Sequence, residues 1–214
     1  MTDEPSVFDK IGIPIDAGHH ICAMYFGVSE RDDVLLPFVG DGLNLGDKCF
    51  AAVQEPDSTD FISKLAAVVG ADVDLPESIA RDQLEIKNST DQILSPDQFD
   101  PSEIIEFWDN RVSTALTNGY PFVRLTAEAS WWLPQLPGMD ELFRYESELN
   151  RFTTRHPQAI LCMYDLSQYT ESIVIDLLKT HPLVLLSGMR IENPYYLTPD
   201  EFLADRSRDP ASSD

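Results

Sequence analysis

The side chains with the widest chemical range fall in a few short stretches. His20 and Cys22 stand two apart in HHICAMY, a β-branched and aromatic run that reads as a buried strand, so both point to one face. Cys162 and Tyr164 share a face in the apolar run 159–164, and Asp165 follows at its end. If the two strands are neighbours, these residues form a cluster of soft ligands. The competing reading makes both cysteines small core hydrophobes, and because their spacing is not that of a zinc motif, no metal is assigned. Glu128 ends a strand in which Arg124 and Thr126 share its face, shortly before Trp131 and Trp132. A carboxylate so placed suits a pocket acid or general base; a salt bridge to Arg124 or a helix-capping role is the plainer alternative. Glu146 sits on a helical pattern with Leu142, Tyr145 and Leu149, where it either lines a pocket or bonds a neighbouring loop. His181-Pro182 ends a helix. A histidine there complements the helix dipole, which accounts for it without a ligand; ligand contact is the other reading.

The turn FGVSERDD after the first strand has the strand–turn–helix form from which α/β proteins build phosphate cradles. A working cradle needs glycines that expose backbone N–H groups, and a lysine for the phosphate charge. Here there is one glycine and the acids Glu30, Asp32 and Asp33, so a triphosphate meets repulsion. Ser29 reads as the N-cap, which leaves Tyr25, Phe26 and Glu30 at the mouth of a pocket. The sequence contains no Ser-His-Asp arrangement, no G-x-S-x-G, no H-E-x-x-H and no C-x-x-C, so catalysis has no positive signal.

Strands are expected at 19–26, 48–53, 84–87, 121–127, 159–164, 183–186 and 189–192. Helical patterns run after Ser29 to Gly46, from Asp57 or Ser58 to Gly70, and from Asp100 to Asn118. Further patterns run at 139–154, 170–180 and 199–203. The alternation implies an α/β fold with a mainly parallel central sheet and helices on both faces, in one domain over 17–203. Residues 1–16 read as a flexible arm and 204–214 as a disordered tail.

Composition bounds the partners. Of 214 residues, 37 are acidic and 15 basic, a net charge of −22, and such a surface repels nucleic-acid backbones and anionic membranes. The excess of acids with few lysines suits a high-salt cytoplasm such as that of halophilic archaea, and fits an acidic mesophilic protein equally. No apolar run reaches the ~20 residues of a membrane span. The three cysteines suggest reduced thiols, and with a polar start that lacks a signal peptide they point to a cytoplasmic protein.

Taken in order, HHICAMY, SERDD, FVGDGLNLGDK, RLTAEASWWL, YESELNRF, ILCMYDLSQY, THPLVLLSG and ENPYY resemble the MEDS family of prokaryotic sensory domains, from about Gly18 to Phe202. The resemblance implies a three-layer fold of the RecA/KaiC type without a functional P-loop, no cofactor, and no catalysis. It places His20, Cys22, Glu30, Gly42, Glu128, Glu146, Cys162, Tyr164, Asp165 and His181 at characteristic family positions. The function it implies is sensing of a small molecule, such as a simple hydrocarbon derivative. The signal would pass to a signalling protein or transcription regulator in trans, with room for a homo-oligomer. Combined with the residue patterns, the expected ligand site comprises His20, Cys22, Tyr25, Glu30, Glu128, Trp131, Cys162, Tyr164, Asp165 and His181. Two other readings stand beside it. One is a ligand-free docking module on a degenerate ATPase fold; the other is a metal enzyme using His20, Cys22 and Cys162 with Glu128 as base.

Overall fold

The computed structural model describes residues 15–53, 58–88, 100–129, 139–186 and 189–207. Seven strands form one sheet: β1 (His20–Tyr25), β2 (Lys48–Val53), β3 (Leu84–Asn88), β4 (Val123–Glu128), β5 (Gln158–Asp165), β6 (Leu183–Leu186) and β7 (Met189–Glu192). Their order is β3-β2-β4-β5-β1-β6-β7, parallel throughout except for β7, which returns antiparallel along β6. The central strands are apolar on both faces because helices cover both.

The helices are α1 (Gly27–Leu45), α2 (Ser58–Ala66), α3 (Leu75–Ala80), α4 (Pro101–Thr117), α5 (Met139–Thr153), α6 (Glu171–Thr180) and α7 (Pro199–Arg206). Strand parity divides the core into two layers. Ile21, Ala23, Tyr25, Leu161 and Met163 pack with Leu35, Phe38 and Val39 of α1 and with Phe61 and Leu65 of α2. Cys22, Met24, Cys162 and Tyr164 point the other way, into a layer with Ile105, Phe143, Leu149, Phe152, Leu177 and Phe202 from α4 to α7. The result is three layers, helix, sheet and helix, as the alternation implies.

Several local expectations need correction. Ser29 does not cap α1: the helix begins at Gly27 with Phe26 as N-cap, and the Glu30 carboxylate accepts from the Phe26 N–H at 2.9 Å. Gly27, at φ 70°, makes the sharp turn out of β1 that moves the helix start forward. Helix α3 lies in a stretch that shows no clear period; Asp74 caps it by accepting from the Glu77 N–H. Helix α2 stops at Ala66, and Val68 and Val69 follow in turns. Helix α7 continues to Arg206, into the segment expected to be a tail.

Candidate functional site

Two polar clusters lie on opposite faces of the sheet. The first sits at its carboxyl edge on the α1 side. Glu128, 3% exposed at the end of β4, accepts from Tyr25 Oη at 3.2 Å and from Arg31 Nη1 at 3.4 Å. Arg31 also donates to Asp32 at 2.7 Å, and Lys64 bridges Asp32 at 2.9 Å and Asp60 at 2.7 Å. Arg124 does not pair with Glu128. It turns under α1 to Asp47 Oδ2 at 2.8 Å and the Phe38 carbonyl at 3.0 Å, so Glu128 keeps a separate set of partners.

The first turn of α1 is closed by carboxylates. Glu30 takes the Phe26 N–H, and the Asp165 carboxylate, at the end of β5, faces the Gly27 N–H. Burial works against the charge on Asp165, but bonds from Ser167, Gln168 and Gly27 outweigh it and hold the carboxyl below its ordinary range. The Phe26 and Gly27 N–H groups at the helix start therefore already face the protein's own anions.

The second cluster is buried between the sheet and helices α5 and α6. His20 opens β1, Cys162 lies on β5 opposite Cys22, Glu146 projects from α5, and His181 caps the end of α6. Their exposures are 0% for both histidines, 2% for Glu146 and 4% for Cys162. Glu146 Oε2 lies 3.4 Å from His20 Nε2, 3.3 Å from His181 Nε2 and 3.6 Å from Cys162 Sγ. Cys162 Sγ is 3.4 Å from His20 Nε2, and Tyr164 Oη donates to Glu146 Oε1 at 2.8 Å. The imidazoles are stacked at a tilt, with centroids 4.1 Å apart. Burial, with His181 beside it, pushes His20 down to about 4, so it is neutral at neutral pH. Burial pushes the Cys162 thiol well up, and Glu146 adds to the shift.

Of the expected site residues, the structure brings His20, Cys162, Tyr164 and His181 together, with Cys22 alongside on the same face. Tyr25, Glu30, Glu128 and Asp165 gather instead at the carboxyl edge. Glu128 therefore cannot serve as a base for a metal held by the cysteine cluster, and Tyr25 and Tyr164 do not wall one pocket. Trp131 lies outside the described residues. Glu146, Asn150 and Arg31 are the additions. For the first two there was a signal: 142, 146 and 150 recur every four residues on the buried stripe of α5, and a carboxylate and an amide on an apolar stripe need partners.

The strand order, with one antiparallel edge and helices on both faces, defines a RecA/KaiC-like α/β protein. Solved structures with this fold include the flagellar accessory protein FlaH of Methanocaldococcus jannaschii, at TM-score 0.57 and 12% identity, covering 89% of this chain and 82% of that one. A KaiC-like protein of Pyrococcus horikoshii OT3 matches at TM-score 0.56 and 12% identity, covering 83% of this chain and 74% of the other. An uncharacterized Pyrococcus horikoshii protein in complex with an unknown peptide matches at 0.58 and 12%, with 83% and 80% covered. Within that fold the chain belongs to the MEDS family, the MEthanogen/methylotroph, DcmR Sensory domain, which matches residues 19–182. It is 26% identical over 171 residues to the transcriptional repressor DcmR of Methylorubrum extorquens; the alignment covers 79% of this chain and 60% of the repressor. The chain thus spans less than two thirds of that relative's length. The family is one of sensory domains. No described helix is long and apolar enough to cross a membrane.

Proposed function

We propose that the chain is a non-catalytic sensor that binds a small, weakly polar molecule, such as a simple hydrocarbon derivative, over the carboxyl ends of β1, β4 and β5. The ligand state would then be passed to a partner protein or transcription regulator. The observation that carries this reading is the closed first turn of α1 beside the buried Tyr25–Glu128–Arg31 group. Open α/β sheets bind ligands at this edge. Here Glu30 and Asp165 disfavour phosphates, whereas the Tyr25–Glu128 hydrogen bond sets a polar group at this edge that suits a neutral molecule. An output surface is available at β7, whose residues are all exposed, with Met189 and Ile191 among them. An exposed apolar edge strand favours pairing with another chain.

The test is thermal unfolding of the full chain with one- to four-carbon alcohols, aldehydes and haloalkanes, against ATP as comparison. A member of the panel should raise Tm in the wild type and raise it less in a folded Glu128→Ala variant. Equal stabilisation in that variant removes Glu128 from the site. Micromolar ATP binding, with no response to the panel, overturns the reading.

A further inference from the structure

The meeting of His20, Glu146, Cys162 and His181 has a donor deficit that its hydrogen bonds do not resolve. Asn150 Nδ2 donates to the carbonyls of Thr180 at 2.7 Å and Ser147 at 3.2 Å, which fixes the amide and turns Oδ1 toward His20 Nδ1 at 3.1 Å. That contact places the His20 proton on Nδ1. His181 Nδ1 lies 2.8 Å from the Leu177 carbonyl, an acceptor only, so its proton is also on Nδ1. With the ring protons on Nδ1, each Nε2 turns toward Glu146 Oε2, itself an acceptor. Cys162 offers a single weak S–H among them, and His181 Nε2 is buried without a hydrogen-bond partner.

The distances point the same way. The two nitrogen–oxygen contacts, 3.3 and 3.4 Å, are beyond good hydrogen bonds, the two sulfur contacts are 3.4 and 3.6 Å, and Tyr164 to Glu146 is an ordinary 2.8 Å. With metal–nitrogen and metal–oxygen bonds near 2.0–2.2 Å and metal–sulfur near 2.3 Å, tetrahedral zinc sets neighbouring ligand atoms about 3.3–3.6 Å apart. All four candidate ligand atoms lie within 4.8 Å of one another. The outer contacts are also those of a metal site: each imidazole gives its distal N–H to a carbonyl oxygen, and Tyr164 holds the free oxygen of the carboxylate.

We propose that His20 Nε2, His181 Nε2, Glu146 Oε2 and the Cys162 thiolate form a closed, four-ligand site for a divalent cation of the zinc class. Two nitrogens, one oxygen and one sulfur suit zinc or cobalt rather than magnesium or calcium, which prefer oxygen ligands. The charges of the cation, the carboxylate and the thiolate sum to zero, which suits a buried site, and the Cys162 proton leaves to solvent as the metal enters. Four protein ligands and no exposed one make the site structural rather than catalytic. It would clamp α5 and the end of α6 to β1 and β5. The site is separate from the Tyr25–Glu128–Arg31 group at the carboxyl edge and does not depend on it.

The test titrates cobalt(II) into reduced, chelator-treated full-length chain, with far-UV circular dichroism to confirm folding. One cobalt per chain is expected, with a thiolate-to-cobalt band in the near ultraviolet. Cys162→Ser should lose the band and Cys22→Ser should keep it. Asn150→Ala leaves all four ligands in place and should weaken binding by about 10–100-fold, the usual effect of an outer-shell loss. A folded wild-type chain that takes up no cobalt overturns the proposal. So does a band that survives in Cys162→Ser or vanishes in Cys22→Ser. Should Cys162→Ser fail to fold, unaltered cobalt affinity in folded Asn150→Ala overturns it. Metal content is read without any small-molecule ligand or partner, so failure here leaves the sensing reading untouched.

Discussion

Replacing Gly42 by alanine sets two physical effects of opposite sign against each other. Gly42 is an interior position of α1, where alanine is worth about 1 kcal/mol over glycine in helix propensity. Propensity alone therefore forecasts a more stable protein. A Cβ at Gly42, however, would stand 2.7 Å from Arg124 Cδ, 2.7 Å from Cys49 Sγ and 2.9 Å from Arg124 Nε. Arg124 cannot withdraw freely, because it is buried and held by Asp47 at 2.8 Å and by the Phe38 carbonyl at 3.0 Å. A hydrogen bond to a charged group is worth about 1.5–3 kcal/mol, and overpacking a core costs about 1–3 kcal/mol. Loss of one such bond exceeds the propensity gain, for a net destabilisation of about 0.5–2 kcal/mol. In a chain of this length each kcal/mol moves Tm by roughly 2–4 °C. Gly40→Ala is the control on the same helix. Its nearest contact is 3.2 Å to Val68 Cγ2, the tip of a side chain that is 38% exposed and can yield, so it should be neutral or stabilising. Urea unfolding followed by circular dichroism gives both values. A Gly42→Ala protein as stable as the wild type, or more so, would refute the claim that the Arg124–Asp47 pair fills the space beneath this helix.

The remaining predictions concern charge. Removing both Glu30 and Asp165 should cost about 0.5–2 kcal/mol, from two anions near a helix N-terminus, and should make Tm rise with added phosphate; an equal phosphate response in the wild type would show that the turn is not closed. With 37 acids against 15 bases, Tm should climb between 0.05 and 1 M potassium chloride as the Debye length shrinks from above 10 Å to about 3 Å. A falling Tm would mean that surface ion pairs such as Lys179–Asp205, rather than net repulsion, govern stability.

Much of the architecture was legible because burial on both faces writes itself as continuous apolar runs, as in β1 and β5, and amphipathic helices write a 3.6-residue period. Helix α3 was missed because six residues are too few to show a period, although Asp74 with Pro76 in the first turn marks its start. The start of α1 was misplaced because serine is a better capping residue than phenylalanine, and the Glu30 bond back to Phe26 is a contact that propensity does not encode. The partner of Arg124 was hidden because Asp47 is 77 residues away. For the buried cluster, parity already paired His20 with Cys22 and Cys162 with Tyr164. Only the topology makes β1 and β5 neighbours and lays α5 across them. Parity also held an unread warning: Tyr25 and Cys22 are three apart on one strand, so they cannot face the same side.

The two polar regions differ in what they lack. At the start of α1 the fold offers unpaired N–H groups and a helix dipole, a site made for an anion, and the chain has filled it with Glu30 and Asp165. Beneath α5 it has gathered two imidazole lone pairs, a carboxylate and a thiol, whose acceptors outnumber their donors. One region carries its own counter-charge and should be indifferent to phosphate; the other holds an excess of acceptors and should respond to metal. Both hang from β1, His20 at its first residue and Tyr25 at its last, five positions apart and therefore on opposite faces. All six residues of that strand are buried and paired with β5, and Ile21 to Met24 are paired with β6 as well. A metal clamp at His20 would therefore fix the same strand whose far end presents Tyr25 to Glu128, steadying the carboxyl edge from the opposite face of the sheet.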